Sequence, residues 1–283
     1  QLSEGSTWGT TTEGAITFDD GVENYFGAYS EGIVIELQTG AYIASTASIT
    51  IPEGALQDIL GNTNTALVIP VEEPFVDSSG TTHASVDTYE EFESAMADEA
   101  IELIGINQDM SATTFAITRP IEILFDGHTL TGTVSITTSA LGEVTLSAPG
   151  TIAGILMIDA PNLTVNNEVT VTGETIIEGV GYDSYNSSGS QLGGILVNGP
   201  ARLNLSASAT SATVGIDTSQ MVVLDGSIQT VQLMASGSKA RVLGTVTTLA
   251  VTTGAIGSLV EAYSGSSIGQ VLASESTMLM KEA

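Results

Sequence analysis

The 283-residue sequence has no cysteine, five basic residues and 5% aromatics, and it contains no long uninterrupted apolar run. Each scarcity removes a class of protein. Without Cys there is no disulfide framework, no thiolate metal site and no Cys nucleophile. Five Lys and Arg against 33 Asp and Glu give a formal charge of −28, which leaves no basic surface for phosphate contacts, so nucleic acid is not an expected partner. The missing apolar run argues against a membrane-spanning helix. The chain opens at Gln1 with no charged-then-apolar leader, which predicts an extracellular or cell-surface product whose signal peptide has been removed.

What is abundant is small and β-forming. Gly 31, Ser 30 and Thr 37 make up 98 of the 283 residues, a bias towards short strands and tight turns rather than helices. With 42% hydrophobic residues and a mean hydropathy of +0.28, the chain has enough aliphatic surface to fold. The expected fold class is all-β.

Charge and aromatics both divide the chain. Residues 1 to 118 hold 20 acids and no Lys or Arg, while the remainder holds 13 acids and all five bases, Arg119, Arg202, Lys239, Arg241 and Lys281. Eleven of 14 aromatic residues lie at or before Phe125, so the C-terminal part is expected to pack with aliphatics alone. Strand-like stretches at Ile33 to Leu37, Ala47 to Ile51 and Ala66 to Val71 make residues 1–87 a β-rich N-terminal domain or an assembly arm, with Asp77 to Thr82 resembling a linker.

Residues 88–283 show a recurrent spacing. Apolar or β-branched pairs begin at Val134, Ile155, Thr175, Ile195, Val214, Val231, Leu249 and Val271, at intervals of 21, 20, 20, 19, 17, 18 and 22 residues. Further short strands lie between them, for example Val144 to Leu146 and Leu203 to Leu205. A unit of this length with Gly, Ser and Asn corners predicts a β-solenoid. Its inside would be a ladder of Ile, Val and Leu, and its outside Thr and Ser. An antiparallel sandwich also has many short strands, but the spacing persists over eight units.

Thr88-Tyr89-Glu90-Glu91 reads as a capping box that opens a short helix reaching about Ala100. A strand over Ile101 to Ile106 follows, then the run Arg119 to Gly132 (RPIEILFDGHTLTG), then the coils. This order resembles the entrance to pectate-lyase-like right-handed β-helix domains of microbial secreted and surface proteins, over about residues 88–283. The resemblance implies a right-handed parallel β-helix with an N-terminal capping helix. It also implies the chemistry to look for, either an Arg or Lys base with Ca²⁺ or grouped Asp residues.

That chemistry is not visible. Asp159, Asp183, Asp217 and Asp225 read as scattered coil-corner acids, and glycoside hydrolysis needs two facing carboxyls. Neither His83, in the expected linker, nor His128, in the Asp126-Gly127-His128 turn, has a second His nearby. The chain therefore leans away from being an enzyme, and no cofactor is firmly expected. Asp19, Asp20 and Glu23 are weak Ca²⁺ candidates, with the turn glycine Gly21 but not the spacing of a Ca²⁺ loop. Asn162, Asn186 and Asn204 head Asn-x-Ser/Thr sequons and are glycosylation candidates. Tyr182 and Tyr185 lie in a Gly181 to Gly189 segment that reads as a surface loop facing a ligand.

The expected function is a secreted structural protein, a self-assembling homo-oligomeric or polymeric subunit of an extracellular filament, sheath or surface layer. The apolar run Thr277-Met278-Leu279-Met280 would offer a docking edge. The alternative is an adhesin or polysaccharide-binding module, and after it a polysaccharide lyase or hydrolase.

Overall fold

A computed structural model of the protein describes residues 17–18, 25–29, 32–36, 48–51, 53, 65–70, 75–76, 81–181, 184–206, 213–274 and 277–281. The chain falls into two compact units, Gln1–Ser85 and Val86–Ala283. In the first, Tyr25–Tyr29 and Gly32–Glu36 form an antiparallel hairpin. Ser48–Ile51 pairs antiparallel with both Thr17–Phe18 and Leu67–Pro70. His83 belongs to the strand Thr82–Val86, which pairs with Phe75–Val76, so it does not lie in a linker.

The second unit is a parallel β-solenoid of about nine turns. One helix, α1 (Tyr89–Ala97), precedes the first coil. Its start follows from the sequence: the Thr88 hydroxyl accepts from the Glu91 N–H at 3.3 Å, and Glu91 Oε2 accepts from the Thr88 N–H at 3.1 Å. The two bonds satisfy donors that the first turn cannot. Phe92, Ala95 and Met96 form the buried face, and Phe92 meets Phe115 of the first coil edge to face with ring centroids 5.5 Å apart.

The far end of α1 is closed by a residue from the next coil. Arg119 donates Nη1 to the Ile101 carbonyl at 2.6 Å, Nη2 to Ala95 and Asp98, and Nε to Met96. A helix C-terminus leaves carbonyls without intrahelical donors, and the planar guanidinium fork reaches three of them, Ala95, Met96 and the C-cap Asp98, together with Ile101 beyond the helix. The helix ends at Ala97, three residues before the sequence pattern suggested.

Each coil contributes one strand to a first parallel sheet and one to a second. The first sheet stacks Ile121–Leu124, Gly142–Ser147, Leu163–Asn167, Tyr185–Ser187, Ala201–Leu205 and their successors up to Thr277–Lys281. The second stacks Thr129–Thr137, Leu156–Ala160, Thr175–Val180, Ile195–Val197, Thr213–Ile216 and onwards to Ser267–Ala273. Alternate side chains point inward, so one residue per coil fills each column of the core. Ile136, Ile158, Ile177, Val197, Ile216 and Leu233 form one such column and each is fully buried.

The sequence pairing slips in one coil. The inward pair there is Leu156 and Ile158, both fully buried, while Ile155 is 39% exposed. Four apolar residues in a row, Ile155 to Ile158, give two possible frames, and the register with Val134 and Ile136 selects the later one. Pairing at the last coil keeps the expected frame, Leu249 to Val271 and Val251 to Ala273, but Val271 and Leu272 are exposed.

Glycines set the corner that precedes the second sheet. A Cβ on Gly154 would lie 1.9 Å from the Gly132 carbonyl oxygen, and one on Gly173 would lie 2.3 Å from that of Gly154. The backbones of successive coils touch here, and no side chain fits between them.

Candidate functional site, an asparagine ladder beside an open groove

The first sheet carries its main polar feature on the outward side. Thr145, Asn166, Asn186, Asn204 and Asp225 occupy one column, each in register with the next. Asn186 donates Nδ2 to Asn166 Oδ1 at 2.7 Å, and Asn204 donates Nδ2 to Asn186 Oδ1 at 2.6 Å. Parallel strands place identical side chains one strand spacing apart, about 4.8 Å, which suits amide-to-amide bonds along the axis. Asp225 ends the run, and Arg202 reaches its Oδ2 at 3.0 Å.

Beside the ladder runs an open groove of about 500 Å³. Asn166, Asn186, Asn204 and Asp225 line it with Glu168, Ser188 and Ser206. Its groups are amides, hydroxyls and two carboxylates. Glu168 and Asp225 lie three coils apart, about 14 Å at the strand spacing, well beyond the roughly 5 to 9.5 Å of paired glycosidase carboxyls. Leu205 and Gly226 also line it, and most of its exposed surface is carbon, with the polar groups set along the ladder.

Directly beneath it the core turns polar. Asn167, Thr175, Tyr185, Ser187 and Gln191 are buried inside the coils. Thr175 donates to Gln191 Oε1 at 2.6 Å, Gln191 Nε2 to Ser187 Oγ at 3.1 Å, and Asn167 Nδ2 to Tyr185 Oη at 3.3 Å. Asn167 Oδ1 is buried with no donor. Burial pushes the Tyr185 phenol up to about 12, although its hydrogen bonding to Ser187, Asn167, Thr175 and Gln191 works the other way. This corrects two expectations. Tyr185 is a core residue between Val165 and Leu203 rather than part of a ligand-facing loop, and the core of the second unit is not purely aliphatic. Tyr182 and Asp183 lie outside the described residues.

The other sequence candidates fall as follows. Asp19, Asp20 and Glu23 lie outside the described residues. Among those described, no group of three or more His, Cys, Asp or Glu side chains is placed to hold a metal. Of the three sequons, Asn162 is exposed and donates Nδ2 to the Ser139 carbonyl at 3.0 Å. Asn186 and Asn204 are half-buried, with the very nitrogens that a glycan would occupy committed to the ladder. His128 Nδ1 lies 3.5 Å from Asp109 Oδ1. Arg202 and Arg241 are each paired with an acid, Asp225 and Glu261 respectively, and Arg241 also lies over the Tyr263 ring.

One acidic pattern escaped the sequence reasoning. Asp159, Glu178, Asn198 and Asp217 each follow an inward residue of the column Ile158, Ile177, Val197 and Ile216, at intervals of 19, 20 and 19 residues. Asn198 donates Nδ2 to Glu178 Oε1 at 2.9 Å. Asp159 and Glu178 do recur at one-coil spacing, and the amide of Asn198 fills the coil between Glu178 and Asp217. A one-residue bulge between Ile158 and Asp159 further disguises the period.

The chain matches no family model and no curated protein. Among solved structures it is similar to "L. reuteri 53608 SRRP", at 12% identity over 70% of this chain and 99% of that one, with a TM-score of 0.28. So low a score carries no argument about fold or function. The parallel solenoid is compatible with the right-handed β-helix expected from the sequence.

Proposed function

We propose that the protein is an extracellular, surface-associated structural protein whose solenoid is a rigid scaffold in an assembly of identical copies. The observation that supports this is axial register. Interior apolar columns, amide ladder and glycine corners all repeat from coil to coil along one direction. In such an arrangement each coil is held by its neighbours, and the repeated investment is in stiffness along the axis. Further growth needs one more parallel strand against Ser267–Ala273, where Val271 and Leu272 are 40% and 55% exposed. Strand addition from the N-terminal unit of another copy meets that need with main-chain bonds and no matched charge pattern.

With 33 acids, copies repel one another unless cations or acid screen them. Light scattering and negative-stain microscopy of the intact chain, with and without Ca²⁺ and from pH 7 down to pH 4, test the proposal. Polymers that appear with Ca²⁺ or acid, and are lost in Val271→Asp, are the expected result. A monomer at high concentration in every condition overturns it.

The groove favours a second reading, a polysaccharide-binding surface module. Amides and hydroxyls along Asn166, Asn186 and Asn204 offer hydrogen bonds to sugar hydroxyls. Calorimetry against a panel of neutral and acidic polysaccharides tests this, with binding expected to fall about tenfold in Asn204→Ala. Equal binding by that variant and the parent chain removes the groove from the account.

A further inference from the structure

The outward side of the second sheet does not follow the Thr and Ser pattern expected of a solenoid exterior. Met157, Ile176 and Leu196 stand in one outward column, in register across three coils. The next position, Gly215, has no side chain, and the Met234 thioether fills the gap. A Cβ there would lie 2.9 Å from Met234 Sδ and 3.4 Å from Leu196 Cδ1. Ile155, two residues before Met157, and Met234 widen the stripe and are 39% and 38% exposed. A contiguous apolar patch of this kind on an otherwise polar surface marks an interaction site, and Met and Leu adapt their shape to a partner.

The rims of the stripe are acidic. Glu174 stands on one side, and Asp159, Glu178 and Asp217 on the other, all exposed. Arg202, Lys239 and Arg241 belong to strands of the first sheet, so none of the three stands on this face. An apolar centre between two carboxylate rims selects a partner with an apolar centre and basic flanks. A second copy does not meet that description, since it brings 33 acids and five bases, and residues 1 to 118 contain no Lys or Arg at all. Spacing adds a further constraint. The coils repeat every 4.8 Å or so, close to the roughly 5.4 Å pitch of an α-helix. A helix with apolar residues at i, i+3, i+4 and i+7 lying along the axis places about one anchor per coil.

We propose that this face is a docking surface for a basic amphipathic helix of another protein. Leu196 is the central anchor, and Asp159, Glu178 and Asp217 fix the orientation and speed the encounter.

The probe is a labelled synthetic Lys/Leu peptide of about 18 residues with Leu at that helical spacing. Its control is a scrambled peptide of the same composition. Fluorescence anisotropy on the intact chain is expected to show the patterned peptide binding at least tenfold more tightly than the scramble. Leu196→Ser weakens binding about tenfold. The triple change Asp159→Asn, Glu178→Gln, Asp217→Asn weakens it similarly and flattens its salt dependence. The control triple Glu90→Gln, Glu93→Gln, Glu99→Gln, in and just beyond α1, leaves it unchanged. Circular dichroism and melting of each variant separate loss of binding from loss of fold. Equal binding of the scramble reduces the effect to bulk charge and overturns the proposal. So does an affinity for Leu196→Ser within twofold of the parent, or a self-association that Leu196→Ser abolishes, which would make a second copy the occupant.

Discussion

The coils over residues 121–197 and those over 221–273 share a repeat length but turn their corners differently. In the first group an extra short strand, such as Thr151–Ala153 or Thr170–Val171, precedes a glycine and then the second-sheet strand. In the second group that extra strand is missing: Met221–Leu233 runs through its corner without a break, and Lys239–Val242 leads through Gly244 straight to Thr245–Val251. The contact at the bend is nonetheless the same. A Cβ on Gly154 would meet the Gly132 carbonyl oxygen at 1.9 Å, and a Cβ on Gly244 would meet that of Gly226 at 2.0 Å. The interiors also differ. The first group encloses Asn167, Tyr185, Ser187 and Gln191, whereas the second stacks Leu224, Val242 and Ala262 at the matching positions below Tyr185 and Leu203. Period is therefore set by backbone contact at the bend, and the filling can vary from apolar to polar without changing it.

The largest test of that view is Ile216→Asp, at the junction of the two groups. Ile216 is fully buried, and an unpaired carboxylate there costs about 4 kcal/mol or more. Because each coil rests on the next, hydrogen exchange should accelerate in the coils on both sides of it. Melting like the parent chain would mean that the side chain faces water.

Next in size are the two bends. Gly154→Ala and Gly244→Ala should each cost about 3 kcal/mol, the upper range for forcing a methyl into filled space. Chemical denaturation of the pair reads the comparison directly. A loss in one and none in the other would show that the corners of the two groups are not equivalent.

The polar filling has its own signature in alkali. The Tyr185 phenol sits near 12 in the fold against 10 when unfolded. A raised pKa favours the neutral folded form, so its contribution is complete below pH 10 and is lost as pH rises from there towards 12. Two pKa units correspond to about 2.7 kcal/mol. Thermal melts between pH 9 and 12 should fall more steeply for the parent than for Tyr185→Phe, and parallel curves would contradict the burial.

The smallest effect belongs to the ladder. Asn186→Ala removes two axial bonds at a half-buried position and should cost about 1 kcal/mol. A cost below a few tenths would make the ladder incidental to the scaffold.

Much of the solenoid was legible because its period is written in β-branched and aliphatic pairs. Ile158, Ile177, Val197, Ile216 and Leu233 are all buried as expected, and the Thr88 capping box forms as the spacing dictates. The failures have one origin, which is that a residue's partner lies one coil away in the sequence. Tyr185 looked like loop because Ser and Gly surround it. Yet Tyr185-x-Ser187 falls 20 residues after Val165-x-Asn167 and 18 before Leu203-x-Leu205, and that offset alone places it in the core column. The groove residues Asn166, Asn186 and Asn204 were visible the same way, but the sequons drew Asn186 and Asn204 towards glycosylation. The role of Arg119 had no local signal, since its four carbonyl partners lie 18 to 24 residues upstream.

The glycine corners carry a consequence for how such a gene can change length. Gly132, Gly154 and Gly173 stand 22 and 19 residues apart, and the second-sheet columns through Val134 and Ile136 share that stride. Removing one whole stride, such as residues 155–173, brings Gly154 before the strand Thr175–Val180 and leaves each neighbour facing a residue of its own column. Removing a single residue within a strand turns every later side chain of that strand to the opposite face. Slack exists where a strand carries a bulge, as between Ile158 and Asp159. Variation among descendants of this sequence is therefore quantised: they gain or lose whole coils, and the scaffold changes its reach in steps of one strand spacing.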